Sequence, residues 1–194
     1  MSDNLSIEIS NYILDKGTLE ELSTSLAAIR EQEVTSDTVK EEEVEDAIHF
    51  VGFQFGSEEY VIEIHLIQEI IMVGNITPVP HVQEFFEGVI NLRGNIVPVI
   101  NLRLKLEMEN KPINNDSRII IVELGETTVG YLVDEITKVI KLPRKNIEPA
   151  TSAFGAISEE YMNGIGRLEN QEDIVGWLDV YKIIETELEE IAQD

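Results

Sequence analysis

The sequence predicts an all-β protein built from small barrels, and three observations carry that prediction. From Ala47 onward the chain breaks into about ten short runs rich in β-branched and aromatic residues, with frequent turns between them. Two-residue turn signals separate several of these runs, notably Gly56-Ser57, Gly94-Asn95 and Gly125-Glu126. The 194-residue chain is 43% hydrophobic, enough for one sizeable core or two small ones, yet it contains no apolar run long enough to span a membrane.

The strand region opens with HFVGFQF (49–55), the turn Gly56-Ser57 and EYVIEI (59–64), which together read as a hairpin. HLIQEIIMV continues as a short helix or a bent strand. ITPVPHV carries two prolines and reads as a strand edge or loop. QEFFEG reads as one helical turn closed by Gly88. RIIIVEL (118–124), Gly125-Glu126 and TTVGYLVDEI form a further hairpin. KVIKL, the loop PRKNIEPATSAF, YMNGIGRLEN and IVGWLDV follow. The tail from Asp179 is helical in pattern, with Val180, Ile183, Ile184, Leu188 and Ile191 on one stripe.

Residues 1–46 differ in texture. Leu19, Leu22, Leu26 and Ile29 recur at helical spacing, and Thr18 with Glu21 fits a capping box. The stripe can pack on its own domain, most simply against the C-terminal stripe, it can self-associate, although it is short for that alone, or it can bind a partner helix. The run EEEVED (41–46) reads as a solvated acidic linker. The expected organisation is an acidic, partly helical extension (1–46), a β domain (47–184) and a C-terminal helical tail (185–194).

Charge and composition exclude several functions. The formal net charge is −24, which repels nucleic acid and anionic lipid. There is no cysteine, so disulfides, thiolate nucleophiles and cysteine-based zinc sites are absent. The N-terminus carries no signal-peptide pattern, and a cytoplasmic location is expected. His49, His65 and His81 lie in no nucleophile or metal motif, and the adjacent Glu58 and Glu59 point to opposite faces of a strand. No catalytic residue, metal site or cofactor is therefore expected. Lys138, Lys141, Arg144 and Lys145 form the basic cluster, suited to a solvated loop, an acidic partner or the chain's own acidic leader.

The pentapeptide VINLR occurs twice, at 89–93 and 99–103. Two copies are too few for a solenoid, and a single glycine is too few for a phosphate loop. A tight hairpin turning at Gly94-Asn95 accounts for them, with Arg93 facing Ile96 and Val89 facing Ile100. Pro98 then marks a bulge or an unpaired position. Arg93 is left at the lip of the turn, either as an ion-pair partner or as a docking residue.

EGVINLRGNIVPVINLRLKL (87–106) resembles the central signature of the CheW-type chemotaxis coupling proteins. So do FGSEEYVIEIHLIQEI (55–70), ITPVPHVQEFFEGVINLRG with its Pro-x-Pro spacing, VGYLVDEITKVIKLPRKNIEPA (129–150) and EYMNGIGRLEN (160–170). The resemblance covers about 47–184 with the motifs in order. It implies two packed SH3-like five-stranded β-barrels and no catalysis. It also implies a scaffold that couples the cytoplasmic tips of methyl-accepting chemoreceptors to a chemotaxis histidine kinase in arrays at the inner face of the membrane. The carried-over positions are Ile67 and Gly88 for the kinase regulatory domain, and Arg93, Glu69, Ile136 and Val139 for the receptor. The family usually shows Asp where Asn101 stands, so any ion pair there is lost. The competing reading is a stand-alone OB- or SH3-like barrel that binds an oligonucleotide or peptide; the net charge opposes the oligonucleotide.

Overall fold

The computed structural model describes residues 46–151, 155, 157–168 and 173–184. The expected N-terminal helix over 18–31 and the tail beyond Ile184 lie outside the described residues. Eleven strands form two sheets: β1 (Ala47–Phe55), β2 (Glu58–Glu63), β3 (Ile67–Met72), β4 (Phe86–Leu92), β5 (Asn95–Asn101), β6 (Arg118–Leu124), β7 (Thr127–Val133), β8 (Glu135–Pro143), β9 (Ile147–Glu148), β10 (Met162–Arg167) and β11 (Ile174–Leu178). A short helix, α1 (Leu102–Lys105), follows β5 directly, and residues 180–184 begin a further helix after β11. No described helix is long and apolar enough to cross a membrane.

The first sheet runs β8-β1-β2-β11-β10-β9 and the second β3-β6-β7-β5-β4. The ends of the chain therefore build one barrel, and its middle builds the other. Both sheets curl shut. In the first, β8 and β9 stand at opposite ends of the strand order yet are joined by only the 3-10 turn Arg144–Asn146. In the second, Thr77, just beyond β3, pairs with Val89 of β4, with amide–carbonyl bonds of 2.8 and 2.9 Å. The expected pair of SH3-like barrels is present, but only the second has the expected five strands; the first has six, because the two-residue β9 adds a strand beside β10.

Three apolar clusters explain why so many strands read as unbroken hydrophobic runs. Phe50, Val61, Ile140, Leu142 and Val175 fill the first barrel with Trp177, whose ring meets Phe50 edge-on at 5.3 Å. Ile90, Val97, Val99, Ile119, Ile121 and Leu132 fill the second. The largest cluster draws on both sheets, with Phe53, Tyr60 and Ile62 from one and Ile67, Ile120 and Tyr131 from the other. Strands at this joint are buried on both faces, so alternation disappears from their sequence. Val180, Ile183 and Ile184 open the C-terminal helix and pack into the same cluster. The Tyr131 hydroxyl donates to the Val180 carbonyl at 3.0 Å.

The hairpins at Gly56-Ser57 and Gly125-Glu126 form as the sequence predicts, with Phe55 opposite Glu58 and Leu124 opposite Thr127. Two expectations are corrected. QEFFEG is not a helical turn, because Phe86–Leu92 is strand β4 and Gly88 lies inside it. Gly88 has φ +137°, and a Cβ there would run into the Thr77 carbonyl that closes the barrel. The VINLR hairpin turns at Arg93-Gly94, not at Gly94-Asn95. Leu92 faces Asn95, Asn91 faces Ile96 and Val89 faces Pro98. Pro98 precedes the first β5–β7 pair, Val99 with Gly130, so its missing N–H leaves no rung of that ladder open.

Candidate functional site

Arg93 and Gly94 have φ of 52° and 93°, both left-handed. A two-residue hairpin loop with two positive φ angles is the type I′ geometry, whose twist matches the flanking strands. Asn and Gly favour its first position; an arginine there carries a backbone cost of about 1–2 kcal/mol. Asn91 braces the turn from inside, its Oδ1 accepting from the Gly94 amide at 2.9 Å. Arg93 Nη2 donates to Glu69 Oε2 at 2.9 Å, while the arginine side chain remains 75% exposed and the glutamate only 14%. The turn and the carboxylate together fix a guanidinium that still presents most of its donors to solvent. Ile96, just beyond the turn, is 66% exposed, and Met72, three residues beyond Glu69 on β3, is 63% exposed.

Glu69 joins this site from 24 residues away in sequence. A register shift in the β3–β6 ladder, between Ile67 and Glu69, precedes it. Its other oxygen, Oε1, is buried and has no hydrogen-bond partner in the described residues. The sequence-predicted pair Arg93 and Glu69 is thus one contact.

Ile136 and Val139 form the second part of the predicted receptor set. Three residues apart on a regular strand, they would face opposite ways. They pair with Phe53 and Val51, which lie two apart, so β8 carries one extra residue opposite Gly52. That bulge turns both onto the face of the joint between the barrels, where each is half-buried against the largest cluster. Glu59 of β2 holds the bulge. It accepts from the Thr137 hydroxyl and pairs with Lys138 at 3.3 Å, reaching across the space that a Gly52 side chain would fill.

Ile67 and Gly88, the expected kinase positions, offer little side chain to a partner. Ile67 is 1% exposed within the joint cluster, and Gly88 is buried against Thr77.

Several buried polar groups carry no signal in the sequence, Lys105 and Ser117 among them, and Arg103 makes the most contacts. Arg103, the arginine of the second VINLR, is 8% exposed. Its Nε and Nη2 donate to both oxygens of Asp134, at 2.7 and 2.6 Å, and its Nη1 donates to the Glu109 carbonyl at 3.2 Å. Its guanidinium stacks 5.3 Å over the Phe55 ring of the other barrel, and Lys111 approaches Asp134 at 3.3 Å. Asp134 lies between β7 and β8, where the chain returns to the first barrel. Burial pushes the Asp134 carboxyl up, but Arg103 and then Lys111 outweigh it and hold it below its ordinary value. The same contact raises Arg103 above the usual guanidinium value.

Asn101 departs from the aspartate expected by resemblance, and its surroundings account for the amide. Its Nδ2 donates to Glu87 Oε1 at 2.7 Å and to Asn110 Oδ1 at 3.3 Å, and its Oδ1 accepts from Leu104 N, capping α1. A carboxylate could cap the helix but could not donate to Glu87.

A recess among Asn101, Arg103, Lys111, Ser117 and Asp134 holds about 10 Å³, room for a water molecule. Among the described residues no three His, Asp or Glu side chains gather in a way that could hold a metal ion.

The described residues thus form two packed β-barrels, with an exposed, braced arginine at the rim of one. A family described as the CheW-like domain matches residues 49–188. The chemotaxis protein CheW of Klebsiella aerogenes is 33% identical over 138 residues, covering 71% of this chain and 82% of that protein. The chemotaxis protein CheW of Helicobacter pylori matches with the same identity and coverage. The crystal structure of the scaffolding protein CheW from Thermoanaerobacter tengcongensis superposes with a TM-score of 0.67 at 28% identity, over 76% of this chain and 94% of that one. The chain belongs to the CheW-like family.

Proposed function

We infer that this protein is a non-enzymatic adaptor that couples chemoreceptor cytoplasmic tips to a chemotaxis histidine kinase, in arrays on the inner face of the membrane. The observation that carries the reading is Arg93. An arginine is kept at a turn position that favours asparagine or glycine, and most of its donors face solvent. Strain retained at an exposed position points to a use outside the fold. Ile136 and Val139 add a half-buried apolar strip along the joint, suited to one face of an amphipathic receptor helix. Ile67 and Gly88 act for the kinase by shaping the surface above them rather than by touching it. Each contact is small, on the order of 1,200 Å² or less, and gains strength from multivalency in the array.

The test is a pull-down of purified receptor tip and kinase regulatory domain on the full chain, with kinase activity measured in the reconstituted mixture. The account expects both partners to be retained and kinase activity to rise only when receptor, kinase and this protein are together. Retention of neither partner, or turnover of phosphodonor by this protein alone, contradicts it.

A further inference from the structure

We propose that the acidic leader, residues 1–46, docks electrostatically on the basic end of β8 in its own chain. The β1–β8 ladder delivers the leader to this place. Ala47 pairs with Pro143, and one step upstream the Asp46 carbonyl accepts from the Arg144 amide at 2.8 Å. The Asp46 carboxylate also accepts from Arg144 Nε at 2.9 Å. Immediately upstream stand Glu41, Glu42, Glu43 and Glu45, and the whole segment holds thirteen carboxylates against three cations.

The receiving face has the opposite sign. Lys141, Arg144 and Lys145 lie within five residues along β8 and the 3-10 turn that follows it. Arg144 and Lys145 are exposed, and Lys145 makes no ion pair among the described residues. Each exposed pair contributes little alone. Tethering changes the balance, because a short covalent tether gives an effective concentration of about millimolar, and several carboxylates then share one basic face. In a chain of net charge −24, this is also where the leader escapes repulsion from the remaining surface.

The chain has no cysteine, so Ser36→Cys gives a single site for a nitroxide spin label. Paramagnetic broadening of backbone amides is then measured on the full chain at ~0.01 M and ~1 M salt, where the Debye length falls from about 30 to 3 Å. The expected result is selective broadening of the amides over 141–146 at low salt, lost at high salt and reduced by Lys145→Glu. Because the salt titration uses the same protein throughout, no folding defect can imitate it. Broadening that neither salt nor Lys145→Glu changes is that of a tethered chain sampling space at random, and it overturns the proposal. So does broadening centred on another face.

Discussion

The two copies of VINLR are the same five residues ten positions apart, and the fold uses them in opposite ways. In the first, Asn91 and Arg93 are exposed and Leu92 is half-buried. In the second, Val99, Ile100, Asn101, Leu102 and Arg103 are all buried. The first copy ends a hairpin at the rim of one barrel. The second runs into α1 at the joint between the barrels, where Arg103 lies over Phe55 of the neighbouring sheet. Identical side chains thus become a presented guanidinium in one place and an internal tie in the other. What separates them is the number of strands and rings that close over them, and this is a property of chain regions far away in sequence.

Matched substitutions in the two copies should separate these roles. The largest difference is expected at the arginines. Arg103→Ala leaves the part-buried Asp134 with only Lys111 beside it and should destabilise the fold by about 3 kcal/mol, the low end for a buried pair. Arg93→Ala removes an exposed ion pair and should cost no more than about 1 kcal/mol. Chemical denaturation of the two variants checks this, and similar losses would break the comparison.

The buried pair also gives a direction with pH. Asp134 is held below its ordinary value when folded, so its contribution is fully present above the unfolded carboxylate value and fades as pH falls through the lower folded value. Wild type should therefore lose stability on acidification more steeply than Asp134→Asn, which has no carboxyl to titrate there. Parallel acid profiles for the two proteins would contradict the assignment.

Next in size is the asparagine pair. Asn101→Asp replaces a donor to Glu87 with a second carboxylate and should cost about 1–3 kcal/mol at neutral pH. Asn91→Asp keeps the oxygen that accepts from Gly94 and should lie within about 0.5 kcal/mol of wild type. Thermal unfolding of both decides whether the amide at 101 answers to Glu87.

The sequence made the barrels and most hairpins legible through local chemistry: a glycine-led turn at 56-57 and at 125-126, with β-rich runs on either side. It missed what depends on distant partners. Local chemistry around Gly88 suggests a helical turn, because the bond that settles the strand comes from Thr77 and the joint behind it from Asn101, whose backbone amide donates to the Phe85 carbonyl at 2.7 Å. Gly94-Asn95 has ordinary turn chemistry, yet the ladder favours Arg93 in a left-handed conformation, so the VINLR turn lies one residue earlier. At the site, Arg93 was legible as the lip of a turn. Its bond to Glu69 is not encoded in spacing, and both residues entered the receptor set through resemblance. The shared face of Ile136 and Val139 depends on a bulge that a three-residue separation conceals. Arg103 was invisible because nothing in its pentapeptide differs from that around Arg93. Ile96 had a usable signal, since it alternates with the buried Val97 and so points outward.

The most direct test of the division between the copies is Arg93→Asn, measured for thermal unfolding and for affinity to the receptor tip on the same preparation. Asparagine suits the left-handed turn position better than arginine, so the melting temperature should be unchanged or higher. Receptor affinity should fall by about 1–3 kcal/mol, or roughly five- to 150-fold. Unchanged receptor affinity, whatever happens to stability, would contradict the claim that the first copy presents its arginine to a partner.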